Sequence, residues 1–341
     1  MLWRRALPSL RARCRACTAD AGGRQFRIAE LVSADVAASF EQRGFAVVEQ
    51  LVSPAVVEAL RARFEVLFDG QFETGTYPDE WHWRSGISVP HATREICNGW
   101  KSDRVVASVA LSASLGRLAS NLMGWPGARI GQDDVLWKPP GGTPVGFHQD
   151  SSYISTQFEP YDGNSLTIWI ALDDADPEVG TVEYAPGSHR WAVDHRRVVD
   201  DLADESFHDQ GGSGGDHRAA MRRCPEATAL LAPADADIVA CTVAAGGAVL
   251  HHQDTWHGSG PNTSETRPRR ALGVHLIRSD VRFRAGDALL GEAGAPSYIY
   301  GRYKRMGETS LDESHFPITW AAADSGQQRS AFLDNYCTLP V

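Results

Sequence analysis

The sequence predicts a mainly β fold with flanking helices, a jelly roll, on three observations. Short strand-like runs separated by Gly/Pro turns recur from Arg129 onward. One of them, Leu166 to Leu172 (LTIWIAL), is apolar almost throughout, as a strand covered on both faces would be. The helical periods come before Gly124, so the helices are expected to pack on the outside of one sheet.

Each element has a local reason. Ser33 can cap a helix running to about Arg43, with Gly44 as its stop. Phe45 to Val48 is a short apolar strand. Ser53-Pro54 opens a second helix that carries Val56, Leu60, Phe64 and Leu67 on one face and ends at Asp69-Gly70. Residues 75–100 are rich in Gly and aromatics without a period and read as a long loop, with Trp81, Trp83 and Trp100 either facing a substrate or serving as core aromatics. A third helix is expected from about Ser102 to Met123. Strands come next at Arg129 to Lys138, Leu166 to Leu172, Thr181 to Tyr184, Val239 to Val243, Ala248 to His252 and Arg270 to Ile277. The polar stretch around 192–233 reads as an insertion between two strands. Residues 26–341 are therefore expected to form a single, cupin-like domain.

Composition narrows the function. The chain has 341 residues, is 22% charged and carries a formal net charge of -10, which argues against a nucleic-acid partner. No apolar run approaches the ~20 residues of a membrane span. Six scattered cysteines read as reduced thiols, the Cys14-x-x-Cys17 pair included. Residues 1–25 read as a targeting leader or disordered tail. Arg4, Arg5, Arg11, Arg13 and Arg15 stand there with no acidic residue before Thr18, the pattern of a mitochondrial or plastid transit peptide; the alternative is a basic tail on a cytoplasmic protein.

The chemistry-bearing residues are His148 and Asp150, an H-x-D pair that a strand end would aim into one cavity, and a later histidine. Two neutral imidazoles and one carboxylate hold one face of an octahedral Fe(II) and leave the other open. His257, in the sharp HGSG turn, is preferred for the distal position over His251, His252 and His275. His252 is expected either to hydrogen-bond a cosubstrate or to sit as a core histidine. A 2-oxoglutarate cosubstrate needs a buried cation for its far carboxylate. On the strand beginning at Arg269-Arg270 one of the two must point inward. Arg269 is taken, because it shares a side with Ala271, Gly273 and His275, with Arg270 one register step away.

These stretches, with LWKPPGGTPVGFHQD (136–150), WIALDDAD (169–176), GTVEYAPGSHR (180–190), HGSGPN and the later RRA, resemble the phytanoyl-CoA dioxygenase family of Fe(II)/2-oxoglutarate oxygenases. GFAVVEQLVSPAVVEAL (44–60) resembles the family's opening strand and helix, so the likeness runs from about Ile28 to Arg278. The resemblance implies a double-stranded β-helix, that is, a jelly roll. It implies Fe(II) on His148, Asp150 and His257, and 2-oxoglutarate on Arg269 with help from Ser259, while Lys138 and Trp169 line the cosubstrate pocket. Ascorbate is an accessory reductant, and O₂ and a small-molecule substrate are the partners. Asp150 stands where halogenase-like members carry a small residue. The implied reaction hydroxylates an unactivated C–H of a small or lipid-like molecule, acyl-CoA included, and releases succinate and CO₂. Arg190, Arg196, Arg197, Arg222 and Arg223 could form a local patch for acyl-CoA phosphates. The alternative is a non-catalytic or 2-oxoglutarate-independent cupin-type metal-binding protein, which would not need the inward arginine. The sequence leaves oligomeric state open.

Overall fold

The computed structural model describes residues 25–191, 216–222, 224, 237–285 and 298–341. Two antiparallel sheets form the domain. The strands are β1 (Phe45–Val48), β2 (Glu80–Trp81), β3 (Arg94–Cys97), β4 (Gly127–Lys138), β5 (Val145–His148), β6 (Phe158–Glu159), β7 (Ser165–Ala171), β8 (Val182–Tyr184), β9 (Val239–Ala240), β10 (Ala248–His252), β11 (His257–Ser259), β12 (Arg269–Arg278), β13 (Arg282–Phe283) and β14 (Ile318–Ala321). The larger sheet runs β1-β10-β7-β12-β4-β3-β2, with β14 also on β4; the smaller runs β5-β11-β8-β9; β6 and β13 pair apart from both. This is the expected jelly roll.

Helices α1 (Ala34–Arg43), α2 (Pro54–Phe68), α3 (Arg104–Ala110) and α4 (Ala113–Met123) supply the flanking layer. Ser33 caps α1 by accepting the Val36 N–H, and Gly44 ends it at φ 82°. Only glycine serves there: a Cβ would lie 2.4 Å from His189 Nδ1 and 2.5 Å from Thr255 Oγ1. Val56, Leu60, Phe64 and Leu67 of α2 are buried against Leu166, Ile168, Ile170, Leu250, Leu272 and Val274 of the large sheet. The opposite face of that sheet meets the small sheet through Trp169, Ala171, Val249 and Ala271 against Val182 and Tyr184. Strand β7 is buried along its whole length because helices cover one face and the small sheet the other.

The structure corrects two expectations. The single helix over 102–123 is two helices, because Ser112 takes extended dihedrals and caps α4 by accepting the Leu115 N–H. The break interrupts an apolar stretch otherwise long enough for a membrane span, and much of it is buried in the core. The supposed loop over 75–100 contains β3 and the edge strand β2, both too short to show a period, which extend the large sheet from β4. Its tryptophans are core residues: Trp83 and Trp100 are buried on the helix side, Trp81 packs against that cluster, and Arg94 lies over the Trp83 ring at 3.8 Å. Residues 1–24, with Cys14 and Cys17, lie outside the described residues, as does most of the stretch 192–233. Residues 216–222 of that stretch are described and dock on the small sheet: Phe147 N–H donates to His217 O, and Arg218 and His217 pair with Glu183. The four described cysteines are free thiols.

Strand β4 buries Asp133 completely. Its Oδ1 accepts the Trp100 N–H at 2.9 Å, while Oδ2 has no partner. Burial outweighs that hydrogen bond and pushes the carboxyl up to about 8. A carboxyl raised in the fold contributes stability that is complete below its unfolded value and is lost as pH climbs toward the folded one. We therefore expect Asp133→Asn to gain on the native protein between pH 5 and pH 8, by up to about 1.4 kcal/mol per pH unit. Thermal melts of both proteins across that range check this; parallel curves would show that Asp133 is ionised in the fold.

Candidate metal and cosubstrate site

Alternation along the strands selects the inward side chains of the large sheet. Register pairs place Asp134, Leu136 and Lys138 of β4 opposite Gly273, Ala271 and Arg269 of β12, and Thr167 and Trp169 of β7 opposite His275 and Gly273. From the small sheet, β5 ends at His148 and β11 begins at His257, directly across the ladder from it. Asp150 lies past the end of β5, at the start of a 3-10 turn. The H-x-D pair therefore spans a strand end and the turn after it.

His148, Asp150 and His257 converge, with ligand atoms within 4.8 Å of one another. Asp150 Oδ1 is 3.5 Å from Nε2 of each histidine, and the two rings stand 4.2 Å apart. All three residues are buried. His148 Nδ1 lies 2.8 Å from Gly146 O and His257 Nδ1 2.9 Å from Thr255 O, so each ring donates to a carbonyl through Nδ1 and turns an Nε2 lone pair inward. Burial, and then the neighbouring His148 and His251, hold His257 well below the usual imidazole range and hence neutral. Burial alone would raise the Asp150 carboxyl, but the charged His275 beside it and the hydrogen bond from His251 hold it well below the ordinary carboxylate range. An anionic oxygen flanked by two neutral nitrogens is a donor set that fits a borderline divalent ion such as Fe(II).

The surroundings of Asp150 are densely bonded. Tyr153 donates to Oδ1 at 2.8 Å; Thr167 donates to Oδ2 at 2.5 Å, and His251 Nε2 donates to Oδ2 at 2.9 Å. His251 Nδ1 in turn accepts from Tyr184 at 2.9 Å, which makes His251 neutral. The Thr167 hydroxyl spends its proton on Asp150 and so accepts from His275 Nδ1, while His275 Nε2 donates to Asp134 at 2.7 Å. Both His275 nitrogens thus carry protons. Burial pulls the ring down, but Asp150 and Asp134 raise it further, to about 10.

Across the cavity stands Arg269, 2% exposed. It donates to Gly180 O at 2.9 Å, lies over the Trp169 ring at 5.3 Å, and has an Nε without a partner. Among the described residues it pairs with no carboxylate. Burial lowers it to about 10. Lys138, fully buried beside it, donates to Ser259 Oγ at 2.7 Å and Gly260 O at 2.5 Å; burial and then the Arg269 charge push it well below the usual lysine range. His148, Asp150, His257, Trp169, Ser259 and Arg269 line one cavity.

Most expected site residues therefore meet, but Lys138, expected in the cavity wall, is fully buried behind Ser259 and does not line the cavity. His252 is the second correction. It lies on the far side of β10, 5.6 Å from the His189 ring and 6.3 Å from that of Phe40, and burial lowers it to about 4. His251 lines the cavity instead. Alternation along β10 separates the two, but the run AVLHH shows no polar period from which to choose. Arg270 points outward and grips Asp173 through Nε and Nη2, both at 2.9 Å. Asp134, Thr167, Tyr153 and Tyr184 were not anticipated; adjacent acids on a buried strand were the one available signal, at Asp133-Asp134.

The chain is similar to known proteins in sequence and in fold. A family model described as phytanoyl-CoA dioxygenase matches residues 40–271. A probable alpha-ketoglutarate-dependent hypophosphite dioxygenase of Stutzerimonas stutzeri is 32% identical over 153 residues, 45% of this chain and 46% of that protein. A phytanoyl-CoA dioxygenase of Arabidopsis thaliana is 27% identical over 213 residues, 62% of this chain and 64% of that one. The chain thus spans about half the length of the first relative and under two-thirds of the second. In fold, it is similar to the non-heme alpha ketoglutarate dependent carbocyclase SnoK from nogalamycin biosynthesis. That match has a TM-score of 0.60 at 24% identity and covers 86% of this chain and 98% of SnoK. Iron-bound EctD from S. alaskensis matches with a TM-score of 0.53 at 22% identity, over 74% and 79% of the two chains.

Proposed function

The chain belongs to the phytanoyl-CoA dioxygenase family, and from that premise we propose that it is an Fe(II)- and 2-oxoglutarate-dependent dioxygenase that hydroxylates a C–H bond of a small molecule. The observation that carries this reading is the buried Arg269 guanidinium, which meets no carboxylate among the described residues and shares a cavity with His148, Asp150 and His257. A buried cation is costly unless paired. A dicarboxylate whose other end reaches the metal would pair it.

In this reading His148, Asp150 and His257 hold the iron, and Arg269 holds the far carboxylate of 2-oxoglutarate. When bound, iron and 2-oxoglutarate supply the oxidation, in which O₂, 2-oxoglutarate and the C–H substrate give succinate, CO₂ and the alcohol. The protein's own work is orientation. The Gly146 and Thr255 carbonyls set the imidazoles, and Trp169 backs the guanidinium. Lys138 holds Ser259 at the cavity wall and adds positive charge beside Arg269. Val145, Val182 and Leu136 exclude water between the sheets. Acyl-CoA thioesters are one substrate class to test. Of the arginines considered for their phosphates, Arg222 is paired with Asp216 and Arg190 donates to Glu41 O.

Succinate formation from 2-oxoglutarate with Fe(II), screened over acyl-CoA thioesters and small metabolites, tests the reaction. No turnover with any of them, together with no 2-oxoglutarate binding, would favour a metal-binding protein without the cosubstrate. Arg269→Ala should raise the 2-oxoglutarate KM roughly 10–100-fold, the loss of a charge-assisted pair worth about 1.5–3 kcal/mol. Arg270→Ala should leave it within about twofold, because that side chain serves Asp173; equal effects at the two positions would reject the assignment. Asp150→Ala should weaken metal binding by more than the roughly 10–100-fold typical of outer-shell changes, as calorimetry of the apoprotein can measure.

A further inference from the structure

Asp150 has two oxygens, and the fold treats them differently. Oδ1 faces both Nε2 atoms at 3.5 Å and accepts from Tyr153. Oδ2 meets two donors, Thr167 Oγ1 at 2.5 Å and His251 Nε2 at 2.9 Å, and the His275 Nδ1, whose proton goes to Thr167, lies 3.4 Å from it. A carboxylate oxygen has about two lone-pair directions. The two donors use both, so Oδ2 has none left for a metal.

The donors are themselves anchored in the large sheet. Thr167 and His275 are register partners on β7 and β12. His275 Nε2 is held at 2.7 Å by Asp134 Oδ2, and Asp134 Oδ1 accepts from Gln132 Nε2 at 2.7 Å. Gln132 Oε1 accepts from Tyr300 at 3.1 Å. Every link is buried. The chain of bonds crosses from β7 through β12 to β4 and ends on a tyrosine from the C-terminal part of the protein.

We propose that Thr167, His251 and His275 lock Asp150 into binding iron through one oxygen only, and that Asp134 is a positioning residue for the metal centre, acting through His275. The inference rests on Asp150 being a metal ligand. Its consequence is a saving of coordination sites: a carboxylate bound through both oxygens would take a position that the cosubstrate or O₂ requires. Among the described residues Asp134 bonds to no metal ligand; its side chain accepts from His275 and Gln132. It aims a ring that aims a carboxylate, and such outer partners typically affect metal affinity by roughly 10–100-fold.

The test is titration of metal-free protein with Mn(II), monitored by electron paramagnetic resonance, and with Co(II), monitored by its visible d–d bands. Native protein would be compared with Asp134→Asn, Thr167→Val, Thr167→Ser and Asp150→Ala. Asp134→Asn and Thr167→Val are expected to weaken Mn(II) binding about tenfold or more and to alter the cobalt spectrum as the freed oxygen joins the metal. Thr167→Ser, which keeps the hydroxyl, is expected to restore both. If Asp134→Asn does not fold, as judged by its melt, the Val/Ser pair at position 167 decides alone. Mn(II) affinity and cobalt spectra like the native protein's in Asp134→Asn and Thr167→Val, with binding lost in Asp150→Ala, would overturn this inference and leave the proposed function standing. Unchanged binding in Asp150→Ala would overturn both.

Discussion

A single ionised carboxylate buried between two β-sheets is the constraint on which the rest of this structure depends. Asp150 is 1% exposed, and a lone charge at that depth would take up a proton rather than stay ionised. It stays anionic because Tyr153, Thr167 and His251 donate to it and because the doubly protonated His275 lies 3.4 Å from it. Those groups come from β7, β10, β12 and the turn after β5. The two sheets must therefore face each other in one register for the charge to be tolerated, and a slip of one residue in β7 or β12 would replace Thr167 or His275 with an apolar neighbour.

The opposite end of the cavity has the reverse character. Lys138 and Arg269 are register partners on adjacent strands, so two buried cations lie side by side. Burial drives both toward losing their protons, and their mutual repulsion adds to this for Lys138. Carbonyl oxygens of Gly180 and Gly260 and the Trp169 ring offset part of that cost. A pocket with the His148, Asp150 and His257 cluster at one end and unneutralised positive charge at the other is polarised along its length, and under the proposed function that polarity would orient a dianion. The helices take no part in this chemistry. They cover the apolar side of the large sheet, which leaves its other side free to carry polar residues inward.

Much of this was legible without coordinates. The jelly roll followed from short strands and Gly/Pro turns, and the run LTIWIAL announced a strand covered twice. His148, Asp150, His257 and Arg269 could be named because their residue types are costly to bury and their spacing suits strand ends. Alternation puts Arg269 and Arg270 on opposite faces, and Ala271, Gly273 and His275 on the side of Arg269 favour it as the inward one, with Arg270 one register step away. The same rule gives no answer on β10, where Ala248 to Leu250 are apolar on both faces, so His252 is left between a cosubstrate contact and a core histidine. The short strands β2 and β3 at the end of the large sheet were invisible because two and four residues cannot display a period. The helix break at Ser112 was hidden inside an unbroken apolar pattern, where a cap of about 1 kcal/mol competes with helix continuation.

The sequence by itself determined which side chains can do chemistry and which face of each long strand they occupy, because alternation and burial preference are local properties. Only the tertiary structure decided which oxygen of Asp150 is left open, which of two adjacent histidines supports it, and that Asp134 stands behind His275. These are contacts between strands far apart in the chain, made through register across β4, β12, β7 and β10. Hydrogen-bond partnership at that range depends on angles and on sheet pairing, neither of which is written in the order of residues along any one strand.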